Sequence, residues 1–204
     1  MGVERIRKFQ RGIQEVDGYL LNDPIDLFYL TGLTVSKGRL WISAEEAHLF
    51  VDGRYIEAAK RGAPCSVSLE REMGRALKGK RRIGFDSSYL TVDGWEGWQR
   101  ELEGVEWVPV AKPTKRLRMR KEPCEIEALR RAGRLSQEGY LSLLPQLKEG
   151  VKERHLAWAF EQFCRERGAS RLSFEPIIAF GEHGAYPHYR AGEAEWKEGE
   201  AALI

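Results

Sequence analysis

Asparagine is nearly missing from this chain: Asn22 is its only one in 204 residues. Cysteine is scarce too. Cys65, Cys124 and Cys164 lie far apart with no Cys-x-x-Cys pair, which argues against a thiolate metal centre and leaves reduced thiols of a cytoplasmic protein as the default. No apolar run is long enough to span a bilayer, and "MGVERIRKFQRGI" has neither the apolar core of a signal peptide nor the Ser/Thr of a myristoylation site. A charge excess of either sign is missing as well: 33 Lys and Arg against 31 Asp and Glu leave a net charge of +2. Signs alternate, as in "EWKEGE", so the surface reads as solvated and ion-paired rather than shaped for nucleic acid. The chain also has no phosphate loop, dinucleotide glycine fingerprint or Gly-x-Ser-x-Gly elbow.

What is present is the composition of a globular protein, 42% hydrophobic and 10% aromatic, in a length that suits one large or two modest domains. An Arg- and Glu-rich surface with a single asparagine suits a thermophilic source. Ile6, Phe9, Ile13 and Val16 recur at helical steps and predict an amphipathic first helix. "GYLLN" reads as a strand, and "DPIDLFYLTG" as a helix capped by Asp23 with Pro24 at its first position. "GRLWIS" and "AHLFV", separated by "AEE", predict a hairpin. Strands "CSVSL", "RRIGFD" and "VEWVPV" then alternate with helices "REMGRALKG" and "TVDGWEGWQREL", which implies a mixed sheet with helices packed on it. Trp95 and Trp98 fall at helical spacing and are expected in the core.

Composition changes at "AKPTKRLRMRKEP", a basic run bounded by Pro113 and Pro123. It reads as a solvated linker or domain face sooner than as a nucleic-acid patch, and the boundary is placed between 113 and 114. Beyond it, Ile126, Leu129, Gly133, Tyr140, Leu143, Leu144 and Leu147 share one face of a helix ended by Gly150. A second helix carries Leu156, Ala159, Phe160, Phe163 and Cys164. "RLSFEPIIAF" reads as a strand with Leu172, Phe174, Ile178 and Phe180 in the core.

Chemistry concentrates in "FGEHGAYPH". Gly181 and Gly184 allow a tight turn at a strand end, and Pro187 fixes the backbone just before His188. A held, neutral imidazole there can donate a hydrogen bond or act as general acid or base; a turn histidine is more often structural. His48, inside a strand, and His155, on a helix without a partner at i+4, read as structural. His183 stands near enough to His188 to suggest paired metal ligands, but Glu182 should point away, so that reading ranks low.

Together these pieces resemble the creatinase, prolidase and aminopeptidase P family of pita-bread proteins. "DLFYLTGL" resembles that family's N-x-x-Y-L-T-G segment, and "LFVDGRYIEAA" its D-x-R-Y segment. "RMRKEPCEIEALRRAG" is similar to the signature that opens the catalytic domain, with Lys121-Glu122-Pro123 in place of Lys-Ser-Pro. "FEPIIAFGEHGAYPHYRAG" and "WKEGEAALI" resemble the next two segments, with His183 where the family usually has Asn. The resemblance implies a ribonuclease-H-like α/β domain over 1–113, then over 114–204 the start of an α+β pita-bread catalytic domain. It implies a peptidase with two divalent ions (manganese, cobalt or zinc) acting on small proline-containing peptides, often as a homodimer. His188 then corresponds to the histidine beside the scissile bond, the single catalytic residue assigned; no metal ligand and no substrate-binding residue is assigned. The family's ligands, two Asp, one His and two Glu, would all lie beyond Ile204. The chain is therefore expected to bind no metal and to be inactive alone, as the leading part of a longer enzyme or a truncated form. An end inside the "EAALI" strand, leaving a half-built sheet, agrees. Two alternatives stay open: a non-catalytic pita-bread binding protein and a metal-independent creatinase-like hydrolase.

Overall fold

Residues 2–204 are described by a computed structural model. The chain divides into two compact units, Met1–Lys121 and Glu122–Ile204.

In the first unit, α1 (Gly2–Gln10) buries Ile6 and Phe9, and Ile13 packs against the same core. β1 (Gly18–Leu21) follows. α2 (Pro24–Thr31) starts as expected: the Asp23 carboxylate accepts from Ile25 N–H and Pro24 occupies the first turn, while Gly32 ends the helix in the left-handed region. The hairpin is β2 (Gly38–Ile42) and β3 (Ala47–Val51) in antiparallel register, Leu40 opposite Leu49. Ser43 shapes its turn by accepting from Glu46 N–H at 3.1 Å. α3 (Ile56–Gly62), β4 (Ser66–Leu69), α4 (Met73–Ala76), β5 (Arg82–Asp86), α5 (Val92–Glu101) and β6 (Glu106–Val110) continue the alternation.

The six strands form one mixed sheet in the order β4-β3-β2-β1-β5-β6. Because successive strand residues point to opposite faces, the sheet feeds two cores. Leu21, Leu40, Ile42, Leu49 and Val51 meet α1, α2 and Ala59 of α3. Leu20, Trp41, Phe50, Ile83 and Phe85 meet Met73, Leu77 and Trp98 on the other side. Trp98 is buried and stacks on Trp107 at 5.5 Å, and Trp95 packs at the edge of that core.

Composition alone puts the boundary between 113 and 114; the compact units divide after Lys121. The reason is chemical. The Thr114 hydroxyl donates to Asp26, Arg118 bonds the same oxygen at 2.9 Å, and Leu117 packs on the first core. These contacts belong to α6 (Lys115–Met119) and the residue before it.

In the second unit, α7 (Pro123–Leu143) opens with a capping box in which Glu122 N–H donates to Glu125 Oε2 at 2.9 Å. Glutamate thus serves as the cap at the position where Lys121-Glu122-Pro123 departs from the Lys-Ser-Pro of the resemblance. The continuous apolar face expected along α7 is not a core face. Ile126, Leu129, Tyr140 and Leu144 are exposed, and of the helix only Gly139 and Leu143 are buried. α8 (Glu153–Glu166) packs where Gly139 leaves room: a Cβ there would lie 2.8 Å from the Phe160 ring. The strand expected over 171–180 shrinks to β7 (Ala179–Phe180), paired antiparallel with β8 (Ala202–Leu203). Phe174 is 72% exposed, so the core expectation fails there, while Ile178 and Phe180 join Leu143 and Leu156 inside. No helix of the described residues is long and apolar enough to cross a membrane.

Candidate active site

β7 leads straight into a 3₁₀ turn, Gly181–Ala185. Gly181 has φ of 50°, a left-handed conformation that glycine takes without a Cβ penalty, and its N–H donates to Ala201 at 2.9 Å. Two further backbone bonds, Tyr186 N–H to His183 and Tyr189 N–H to Tyr186, bend the chain through Pro187. His188 is exposed in this turn, and its ring has no partner among the described residues.

Beneath the turn is a carboxylate that sequence reasoning missed. Glu153 opens α8 and is fully buried. Its Oε1 accepts from Phe180 N–H at 2.9 Å and meets His183 Nδ1 at 2.9 Å. Its Oε2 accepts from the Tyr189 hydroxyl at 2.7 Å and from Gly192 N–H at 2.9 Å. Since the Tyr189 proton is spent on Glu153, the 2.7 Å contact between Tyr189 and His183 assigns the proton of His183 to Nδ1. His183 also stacks on the Tyr189 ring at 4.6 Å. Burial alone would raise the Glu153 pKa, but the hydrogen bonds from His183, Gly192, Phe180 and Tyr189 together hold it below the ordinary glutamate value. Burial and the bonded carboxylate push the Tyr189 phenol up to about 12.

One signal of this cluster was readable. Glu153, Leu156 and Phe160 fall at i, i+3 and i+7 on one helical face, and a charged residue in an apolar stripe calls for buried donors. His183 is thereby tied to Glu153 and Tyr189. The other histidines take structural places: His48 stacks on Phe50 at 4.4 Å, burial lowering its pKa, and His155 lies beside Trp158. The Cys65 thiol is pushed by burial to about 11, which keeps it unreactive.

The first unit carries a candidate cation cluster. Asp23, Asp26 and Asp86 each place a carboxylate oxygen within 4.8 Å of the others, although no metal ligand was expected in this chain. Hard oxygen donors of this kind suit one Mg²⁺-, Ca²⁺- or Mn²⁺-like ion. Asp23 Oδ1 already caps α2, Asp26 Oδ1 holds Thr114 and Arg118, and Asp86 Oδ1 holds Ser88 and Lys112 N–H. The second oxygen of each carboxylate accepts no hydrogen bond among the described residues. In the second unit, an apolar groove of ≈ 460 Å³ runs between Leu135, Tyr140, Phe160 and Phe174, and His188 does not line it.

Comparison with known proteins matches residues 3–120 to the Creatinase/Prolidase N-terminal domain and residues 127–204 to metallopeptidase family M24. The chain is similar to the uncharacterized peptidase YqhT of Bacillus subtilis, 28% identical over 100% of this chain and 60% of YqhT. It is 25% identical to the Xaa-Pro dipeptidase of Pyrococcus furiosus, covering 98% of this chain and 59% of that protein. Among solved structures, an Xaa-Pro dipeptidase from Bacillus anthracis superposes with a TM-score of 0.88 at 27% identity, over 98% of this chain and 58% of that one. The prolidase of Pyrococcus horikoshii gives 0.87 at 25% identity, over 98% and 58%. The chain thus spans about three fifths of the length of these relatives.

Proposed function

The chain belongs to the creatinase/prolidase family, with the N-terminal domain over 3–120 followed by an M24 metallopeptidase match over 127–204, and on that premise we propose that it is part of a metal-dependent peptidase that cleaves Xaa-Pro bonds. The observation that carries this reading is the tandem order of the two domains, with the Pro187-His188 dipeptide exposed in a well-bonded turn of the second. The substrate is a small proline-containing peptide, and the enzyme is of the prolidase or aminopeptidase P type. Divalent ions, when bound, supply a water of lowered pKa and a Lewis acid for the scissile carbonyl. No residue of this chain is assigned as their ligand. The same reading includes a homodimer, which light scattering on the full gene product would check.

His188 is assigned the hydrogen bond to the substrate oxygen that gains charge as the carbonyl becomes tetrahedral. Its ring suits that task, because no partner among the described residues has to be displaced first. In the full gene product, His188→Ala should lower turnover of an Xaa-Pro dipeptide by about 10²- to 10³-fold, the usual loss for one oxyanion donor. Metal content measured by emission spectroscopy should not change. Unaltered turnover would end this assignment, and loss of metal would make His188 a ligand instead.

A further inference from the structure

We propose that Glu153 is a positioning residue for His188, an inference that rests on the reading of His188 as the substrate-facing group. The donors that converge on Glu153 come from both sides of that histidine. Phe180 N–H and His183 Nδ1 precede it, and the Tyr189 hydroxyl and Gly192 N–H follow it. One buried carboxylate therefore holds the loop before, beside and after the turn in which His188 stands. His188 has no side-chain partner of its own among the described residues, so its placement depends on backbone fixed elsewhere. Pro187 restricts φ on one flank, and the Tyr189 bond to Glu153 pins the other.

The chemistry calls for a carboxylate. Two oxygens with about four lone-pair sites can accept all four donors, whereas an amide has one oxygen and turns its NH₂ toward the rest. Its place at the start of α8 adds the favourable end of the helix dipole, and anchorage to a helix is more exact than anchorage to another loop.

The test is a double-mutant cycle in the full gene product with an Xaa-Pro dipeptide as substrate. Glu153→Gln should lower kcat by about 10- to 100-fold with KM little changed, as expected when a reacting group is displaced by about 1 Å. In the His188→Ala background the same change should add nothing, because there is no longer an imidazole to misplace. Amide exchange should accelerate at Phe180 and Gly192 in the Glu153→Gln protein. If that variant does not fold, Tyr189→Phe, which removes one donor of the four, should show a smaller loss with the same dependence on His188. An equal loss in both backgrounds would make Glu153 merely structural and overturn the proposal, as would unchanged turnover in Glu153→Gln. Full activity in His188→Ala would instead bring down the parent reading, and the positioning role with it, even where amide exchange still reported the anchor.

Discussion

Asp26 and Glu153 are both buried acids, and their surroundings drive them in opposite directions. For Asp26, burial raises the pKa more than Thr114 and Arg118 lower it, so its charge is tolerated rather than sought. Asp26→Asn should keep an acceptor for both partners and change stability by less than about 1 kcal/mol, whereas Asp26→Ala strands the Thr114 hydroxyl and should cost about 1–3 kcal/mol. Equilibrium denaturation followed by tryptophan fluorescence measures both. Glu153 is the reverse case, held ionised below the ordinary glutamate value. An acid with a depressed folded pKa adds stability that is fully present above its unfolded value of about 4.3 and is lost as pH falls through the folded one. Protection of the Phe180 and Gly192 amides should fade over that acidic window, and Glu153→Gln should remove this dependence.

At the scale of elements, agreement between sequence and structure tracks how much each pattern decides locally. Asp23 with Pro24 was enough to start α2, and the two apolar runs around Ser43 were enough for the hairpin, since capping and alternation act over a few residues. β1 shows a finer constraint. Gly18 stands where a Cβ would lie 2.5 Å from the Ile42 carbonyl oxygen and 2.6 Å from the Trp41 ring. Gly18→Ala should therefore destabilise the first unit by about 1–3 kcal/mol through overpacking, visible as a lower denaturant midpoint and a shifted Trp41 emission. α7 and the 171–180 segment misled for a shared reason. Periodicity identifies a face that is apolar, but a partner must be present to bury it, and Leu129 and Phe174 stay 59% and 72% exposed among the described residues.

For the whole molecule, 33 basic and 31 acidic side chains nearly cancel, many of them meeting at the surface in pairs such as Arg82 with Glu106 and Lys152 with Glu193, each worth little in water. The basic run before Pro123 is partly consumed by the fold: Arg118 pairs with Asp26, and Lys121 donates to the Arg118 carbonyl. Duplex DNA should accordingly show no mobility shift at about 150 mM salt, where screening is strong; a salt-sensitive shift would mark the run as a binding patch after all.

The amino-acid sequence by itself determined the alternation of strands and helices in the first unit, the caps and turns that bound them, and the family, through motifs whose order is fixed in one dimension. It also singled out His188, because a proline and two glycines mark that turn locally. Only the tertiary structure decided that Thr114 and Arg118 belong to the first unit, that much of the α7 face is left uncovered, and that Glu153 gathers Phe180, His183, Tyr189 and Gly192. Those contacts join residues far apart along the chain, and hydrogen bonds of that kind leave no periodic trace in a sequence. A buried carboxylate becomes recognisable as an anchor only when the donors that neutralise the cost of its burial are seen around it.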